Sequence, residues 1–210
     1  MRPDIEWVSG WSVSRLIAQR WPMPKHISQA VLERGRRIHE WTEQLDLGME
    51  PTPPEEIAGW CQAYRRFGYS LSPSFTQVEY NFDTGARKDG AFGWHGIADR
   101  VGVVRGKRSV LDIKSGGPQP QHPIQLAFYA LGLYPQSYLK IQRLGVYLKS
   151  NGTFKVKTYS DPEDFMACHA LLRQAYEEED LTYGDDSETT TGNHQSHRHS
   201  RETMDGNQGH

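Results

Sequence analysis

Residues 96–116 have the sequence GIADRVGVVRGKRSVLDIKSG, in which two apolar runs flank the basic stretch Arg105–Arg108. Short runs rich in Val and Ile, joined by a turn that contains Gly, predict a β-hairpin. A loop made of Gly106-Lys107 alone, or of the whole stretch Arg105–Arg108, places Asp99 opposite Lys114. The hairpin therefore decides which charged side chains lie together.

The predicted hairpin collects its charged side chains on one face. Side chains alternate along a strand, so a loop of even length brings Asp99, Asp112 and Lys114 to the same side of the sheet. A loop of three residues would shift the register by one and separate them. Leu111 and Ile113 then point the other way, into the core.

This face indicates metal chemistry. Two carboxylates and an ammonium packed together are costly unless something compensates their charge. A divalent cation does so, and carboxylate oxygens suit Mg²⁺ or Mn²⁺, which acidify a bound water and stabilise charge on a phosphate. The alternative is a surface salt bridge between Lys114 and either aspartate, which is common and weak. The apolar neighbours of Asp99 and Asp112 favour the metal site.

Patterning elsewhere predicts elements in the order α, α, β, β, β, α, β, β, α, which is typical of an α/β fold with a mixed sheet flanked by helices. The predicted segments are helices over about 28–47 and 54–67, a strand over 75–82, the hairpin 97–114, a helix over 122–133, a hairpin over 144–158 and a helix over 162–179. Residues 184–210 are polar and His-containing, so we expect one domain over 1–183 and a disordered tail over 184–210.

Charge is distributed unevenly along the chain. The net charge of −2 does not by itself indicate a nucleic-acid binder. Residues 86–149, however, carry ten Lys and Arg against three Asp, whereas residues 174–190 carry seven acidic residues and no Lys or Arg. A basic middle beside an acidic end is typical of a phosphate-contacting surface next to a solvated segment. An ordinary charged surface is the alternative.

Composition argues against other classes of protein. No apolar run of about 18 residues occurs, so we expect no membrane span. The first residues, MRPDIEWVSGW, lack the apolar stretch of a signal peptide. Cys61 and Cys168 lie far apart and share no motif, which favours reduced thiols in a cytoplasmic protein.

The hairpin sequence resembles a known family. Asp99 within G-I-A-D-R, followed by L-D-I-K-S-G, is similar to the PD-(D/E)XK nuclease superfamily, and most of all to its RecB-like branch, which includes phage exonucleases and the mitochondrial genome maintenance exonuclease. Upstream, E-R-G-R-R-I-H-E resembles the Gly-x-x-x-His motif of that branch, with Gly35 as its glycine and His39 as its histidine. Downstream, Gln125 and Tyr129 match its Gln-x-x-x-Tyr signature. These motifs cover residues 28–130 and imply a restriction-endonuclease-like fold.

The resemblance also implies roles for individual residues. The expected metal ligands are His39, Asp99, Asp112 and the carbonyl of Ile113. The expected catalytic residues are Asp99, Asp112 and Lys114, with Lys114 acting on the attacking water and with Gln125 and Tyr129 in support. Glu79 matches an acidic residue in the preceding strand and is a further candidate. Arg100 and Trp94 are the candidate DNA contacts.

Several of these residues also have an ordinary interpretation. A histidine on the apolar face of a helix, such as His39, is more often a satisfied core residue. Gln125 and Tyr129, spaced four apart on one helix face, could simply pack at the edge of the core. Glu79 could lie on a solvated strand face, and Trp94 could pack in the core rather than stack on a base.

The sequence departs from the family pattern at two positions. Ala98 replaces the proline of the superfamily name, and the second acid is Asp112 rather than glutamate; both changes occur in the RecB-like branch. The four-cysteine motif of some relatives is absent, so no iron–sulfur cluster is expected.

Together these features predict a Mg²⁺- or Mn²⁺-dependent deoxyribonuclease, expected to be an exonuclease of DNA replication, recombination or repair. Its partner would be DNA, single-stranded or with free ends, and a replication or recombination protein is a further candidate partner. The alternative function is a nuclease-fold protein with little activity that binds DNA or recruits such a partner. Cleavage polarity, strand preference and oligomeric state leave no readable motif.

Overall fold

The computed structural model describes residues 11–22, 27–85 and 93–185, with side chains through Glu177. Its elements are β1 (Trp11–Ser12), α1 (Val13–Arg20), α2 (Gln29–Asp46), α3 (Ala58–Leu71), β2 (Ser74–Asp83), β3 (Trp94–Val104), β4 (Lys107–Lys114), α4 (His122–Leu133), β5 (Gln142–Leu148), β6 (Phe154–Tyr159) and α5 (Glu163–Asp185), with 3₁₀ turns at Glu55–Ile57 and Tyr138–Lys140.

The chain forms two compact units, residues 1–176 and 177–210. The first unit contains the whole sheet and the candidate site. Of the second unit the structure describes residues 177–185, all of them helical. α5 extends to Asp185, and residues 186–210 of the predicted tail lie outside the described residues, so the division into a domain over 1–183 and a tail over 184–210 stays a prediction.

The sheet is mixed and forks at its centre. β4 and β5 are parallel, β5 and β6 antiparallel, and β3 pairs antiparallel with β2 along residues 95–103. On its other edge β3 pairs with β1 at residues 94–95 and with β4 at residues 100–104. Among the described strands, residues 96–99 therefore have no strand partner on that edge. Asp99 lies where β3 and β4 separate.

The hairpin between β3 and β4 confirms the predicted even loop but not its register. Val104 pairs with Lys107, so the loop is Arg105-Gly106, and the same register places Asp99 opposite Asp112 rather than Lys114. Both loop residues have positive φ, 50° for Arg105 and 76° for Gly106, as a type I′ turn requires. That turn follows the right-handed twist of the strands. The observed register differs from the predicted one by two residues, so each side chain still points to the predicted face of the sheet.

Helices cover both faces of the sheet and create two cores. One core joins α1, α4 and α5 to residues such as Val101 and Val110. The other joins α2 and α3 to residues including Leu111 and Ile113, which are buried as predicted. Each core buries the apolar side chains of one sheet face, which is how an α/β domain removes that face from water.

Helix α4 matches its predicted bounds and has an unusual surface. It begins with Pro123 in its first turn, where the missing N–H costs no helical hydrogen bond. Eight of its residues are buried, including Phe128 and Tyr129. A helix that is apolar on nearly all sides belongs in the interior. Its half-buried Gln125 is thereby a polar group held close to the sheet.

Two parts of the sequence interpretation missed features of the fold. β1 and α1 were not predicted, since the two-residue strand and eight-residue helix are too short for a clear periodicity. In β2 the predicted alternation fails, because a bulge at Phe75–Gln77 and a φ of 47° at Glu79 change the direction of the side chains. Within the described residues, no helix has both the length and the apolar character needed to cross a membrane.

Gly102 tests the packing of β2 against β3. A Cβ added there would lie 2.1 Å from the carbonyl oxygen of Ser74, so Gly102→Ala must push the two strands apart. We expect a loss of about 2 kcal/mol in the free energy of unfolding, measured by chemical denaturation.

Gly68 in α3 is the matched control. A Cβ there meets nothing within 4 Å, so Gly68→Ala should be neutral or stabilise the chain by up to about 1 kcal/mol. Equal effects of the two substitutions would contradict this account of the strand contact.

Candidate active site

The fork between β3 and β4 is closed by a side chain. Asp99 is 7% exposed, and its Oδ2 accepts a hydrogen bond from the Ile113 N–H at 2.6 Å. A carboxylate thus replaces the strand carbonyl that a continued hairpin would supply. Hydrogen bonds to a charged group are among the stronger ones in proteins. This contact fixes the first acid against the strand that carries Asp112 and Lys114.

A second group of donors surrounds Asp99. His39 Nδ1 on α2 lies 3.6 Å from Glu79 Oε1 on β2 and 3.7 Å from Asp99 Oδ2 on β3. One donor atom from each of the three residues lies within 4.8 Å of the others. The positive φ of Glu79 belongs to the irregular part of β2, and its side chain is only 12% exposed. Glu79 therefore belongs to this cluster and not to a solvated face.

Asp112 is the most buried of the acids. It is 1% exposed, and within the described part of the chain neither of its carboxylate oxygens accepts a hydrogen bond of good geometry. Its partner is the ammonium of Lys114, with Nζ 2.8 Å from Oδ2. Burial raises the pKa of Asp112 to about 6, although Lys114 opposes that rise. Such a carboxylate has unused capacity for a cation.

A hydrogen-bonded row continues from Lys114 into α4. Lys114 Nζ donates to Gln125 Oε1 at 3.2 Å, and Gln125 Nε2 donates to the Tyr129 hydroxyl at 2.6 Å. Burial and then the charge of Asp112 raise the pKa of Tyr129 well above its usual value, so its phenol stays protonated. The row fixes the direction of the Gln125 amide and, through it, the position of the ammonium.

The charge on His39 depends on its two acidic neighbours. Burial disfavours the imidazolium, but Asp99 and Glu79 outweigh this, so the pKa of His39 rises to about 9. In the metal-free chain the ring is therefore protonated at neutral pH. Binding a metal through His39 would release that proton, as ligand deprotonation does in other sites.

These residues fit a divalent cation. The three residues whose donor atoms lie within 4.8 Å of one another offer two carboxylates and one imidazole, which suits a hard or borderline ion such as Mg²⁺ or Mn²⁺. The two oxygens of Asp112, buried without a complete hydrogen bond, are the kind of orphaned acceptor that a cation satisfies. His39, Glu79 and Asp99 are the side chains that would hold it, and Asp112 stays a predicted ligand. The carbonyl of Ile113 stays a predicted ligand.

The two residues predicted to contact DNA, Arg100 and Trp94, pack against other parts of the protein. Arg100 is wrong as a DNA contact, because its side chain is 0% exposed and its donors bind protein groups. Trp94 is half-buried and packs with its ring edge against Phe128, at 6.0 Å between centroids, so it contacts the core. The sequence made Trp94 a candidate because it lies just ahead of the Asp99 strand and a tryptophan can stack on a base.

Sequence reasoning also missed the residues that surround Arg100. Thr42 and Asp46 on α2 accept hydrogen bonds from its guanidinium. The available signal was the spacing, since Thr42 follows His39 by three residues and shares its helix face. Asp46 had no such signal, because it is the last residue of α2 and resembles an exposed helix end.

Comparison with known proteins supports the fold. A candidate exonuclease from Eubacterium rectale has a similar structure, with a TM-score of 0.50 and 11% identity over 84% of this chain and 82% of that one. An alkaline exonuclease from Laribacter hongkongensis aligns with a TM-score of 0.43 and 15% identity over 85% of this chain and 93% of that one. No protein-family model matches the chain, and no curated protein does.

The similarity to the Eubacterium rectale structure concerns the fold. The predicted α/β architecture, a mixed sheet flanked by helices, is confirmed. The site itself rests on the contacts among residues of this chain.

Metal binding should stabilise the folded chain. A ligand that binds only the native state at one hundred times its Kd adds about 2.7 kcal/mol, or roughly 5–10 °C in Tm for a domain of this size. We expect that shift when Mn²⁺ is added to EDTA-treated protein in a thermal melt. The control is Asp99→Asn, which keeps the histidines of residues 186–210. An equal Mn²⁺ shift in that variant would contradict the assignment of the ligands.

Proposed function

We propose that this chain is a metal-dependent nuclease that hydrolyses phosphodiester bonds in DNA, and that it acts as an exonuclease. The supporting observation is that two groups of side chains lie where β3 and β4 separate. One is the cluster of His39, Glu79 and Asp99, and the other is the row that begins with Asp112 and Lys114. Metal ligands and a cationic group side by side are what phosphodiester hydrolysis requires. The nuclease-like fold is consistent with this.

The residues of the row have separate tasks. A divalent cation, when bound, would neutralise the scissile phosphate and acidify a coordinated water. Lys114 would orient the attacking water and donate hydrogen bonds to a phosphate oxygen, because an ammonium offers three donors and only some are used by Asp112 and Gln125. Gln125 and Tyr129 would keep the ammonium in that position. Hydrolysis of this type leaves a 5′-phosphate, by analogy with the family.

A groove next to the row supports access of a nucleic acid strand. It has a volume of about 490 Å³, and Lys114 and Gln125 line it together with apolar side chains that include Trp21, Val31 and Leu32. Val31 and Leu32 are 41% and 42% exposed. A strand could thus lie with a phosphate at Lys114 and its bases along the apolar wall, since bases favour such surfaces.

The wider assignments follow from this activity. We infer a role in DNA replication, recombination or repair, in the cytoplasm of a bacterial or phage-infected cell, with Mg²⁺ or Mn²⁺ as cofactor. A recruitment protein without activity would not need the buried Asp112–Lys114 pair, whose maintenance is costly. The nuclease interpretation is therefore preferred over the recruitment interpretation.

Lys114→Met tests the role of the ammonium while nearly preserving side-chain volume. Loss of one preorganised donor commonly lowers kcat by about 10²–10³-fold, and we expect a loss of that size in Mn²⁺-dependent cleavage of linear DNA. Lys140→Met is the control, since Lys140 is exposed and lies beyond the Ser109 end of β4. Full activity of Lys114→Met would show that the mechanism is wrong.

Digestion of matched DNA substrates tests the mode of cutting. Linear single- and double-stranded DNA labelled at the 5′ or the 3′ end should be degraded in the presence of Mg²⁺ or Mn²⁺, with mononucleotides or short fragments appearing from one end. Closed circles of the same sequence should remain intact. Cleavage of the circles would remove the exonuclease proposal while leaving the nuclease proposal in place.

A further inference from the structure

We propose that Arg100 is a positioning residue that holds the metal ligands His39, Glu79 and Asp99 in one geometry. This inference rests on the proposed function, since it assumes that these three residues bind a cation. It assigns Arg100 a role inside the protein, in place of the DNA contact expected from the sequence.

The guanidinium of Arg100 binds groups on three different elements. Its Nη1 donates to Glu79 Oε1 on β2 at 3.1 Å and to its neighbour's carbonyl, Asp99 O on β3, at 2.6 Å. On α2, Thr42 Oγ1 accepts from Nη2 at 3.0 Å and Asp46 Oδ2 from Nε at 2.5 Å. The metal-ligand candidates come from the same three elements, so one side chain connects all three.

Arg100 controls Glu79 most directly. Glu79 Oε1 lies 3.1 Å from Arg100 Nη1 and 3.6 Å from His39 Nδ1, so the arginine sets the direction in which that carboxylate points. The backbone of Glu79 has φ 47°, a region that non-glycine residues seldom occupy. A residue in that conformation needs surrounding contacts to hold it there. The bond to Arg100 is one such contact.

The far side of the arginine is itself fixed. Asp46 accepts a hydrogen bond from the Tyr64 hydroxyl as well as from Arg100. Thr42 donates through its hydroxyl to the His39 carbonyl at 3.0 Å, so the turn of α2 that carries His39 is part of the network. Planar guanidinium offers five donors in a fixed fork, which suits this arrangement of acceptors; a lysine could not reach all of them.

Two physical effects of Arg100 on a bound cation have opposite signs. Its positive charge repels the cation, and its hydrogen bonds keep Glu79 and the helix turn of His39 in place. If repulsion dominated, removing the arginine would tighten metal binding. If positioning dominates, removal weakens binding, because Glu79 and Asp46 lose their buried counter-charge and turn away or take up a proton. A purely structural role changes stability alone.

Arg100→Met and Arg143→Met form a matched pair for the test. Arg143 is also almost fully buried, is bonded to Asp164 at 2.7 Å and to the Asp161 carbonyl, and contacts none of the candidate ligands. Arg100→Met removes two buried ion pairs and Arg143→Met removes one, so both should lower Tm. Mn²⁺ affinity is measured by calorimetry on the full chain, with the isotherm of Asp99→Asn subtracted for binding elsewhere.

We expect Arg100→Met to weaken Mn²⁺ binding about tenfold or more, as loss of a group that orients a ligand commonly does, and Arg143→Met to change it less than about twofold. Arg100→Lys should recover only part of the loss. Unchanged or tighter binding in Arg100→Met overturns the inference. If that variant does not fold, Asp46→Asn decides, since it removes the charge of one acceptor of the guanidinium at constant volume and Asp46 is bonded to Arg100 and Tyr64 rather than to a candidate ligand; weaker binding supports the inference and unchanged binding overturns it.

The same measurements separate this inference from the proposed function. Wild-type protein that binds Mn²⁺ without cutting DNA would refute the nuclease proposal and leave the role of Arg100 to the affinity comparison. Wild-type protein that cuts DNA, with equal Mn²⁺ affinity in the two arginine variants, would refute the role of Arg100 alone. Absence of Mn²⁺ binding by the wild type would refute both.

Discussion

The hydrogen bond from the Ile113 N–H to the Asp99 carboxylate is the contact on which the site depends. It lies where β3 leaves β4, at 2.6 Å, and it lets the two strands separate without leaving a buried N–H unpaired. Because the strands separate there, a helix from each side of the sheet can reach the gap: α2 brings His39, and α4 brings Gln125. The same bond holds Asp99 against the strand of Asp112.

Burying the charged groups of the site destabilises the fold. Asp112 is buried with incomplete hydrogen bonding, and the pKa values of Asp112 and His39 both rise, the first because of burial and the second because of its acidic neighbours. Fold stability alone would favour apolar residues at these positions, since a buried ion pair seldom outperforms well-packed side chains. Perturbed ionisable groups that converge on a gap are more typical of functional sites than of cores. The surrounding apolar layers supply the stability that the site itself does not.

The sequence predicts the faces of the hairpin better than its register. Alternation survives a shift of two residues, so Asp99, Asp112 and Lys114 share a face although Asp99 lies opposite Asp112 and not Lys114. The bounds of α4 were likewise predictable to the residue, because an apolar run follows the breaker at residues 115–118. Arg100 was not, because its role depends on acceptors from α2 and β2 that lie far away in sequence. Glu79 was doubtful for a related reason: strand alternation assumes a regular backbone, and its positive φ breaks that assumption.

Fold and site are specified by different amounts of sequence. At 11% identity the chain still shares its fold with the Eubacterium rectale structure, because a sheet between two helical layers needs apolar alternation and adequate volume, which many sequences provide. The site needs particular chemical groups at a few positions, and each must point correctly. Orientation is supplied by hydrogen bonds from neighbouring residues: Gln125 and Tyr129 hold Lys114, and Arg100 with Thr42 and Asp46 holds Glu79 and the helix turn of His39. These polar groups are buried or half-buried next to the two cores, so the packing that stabilises the fold also fixes the geometry of the site.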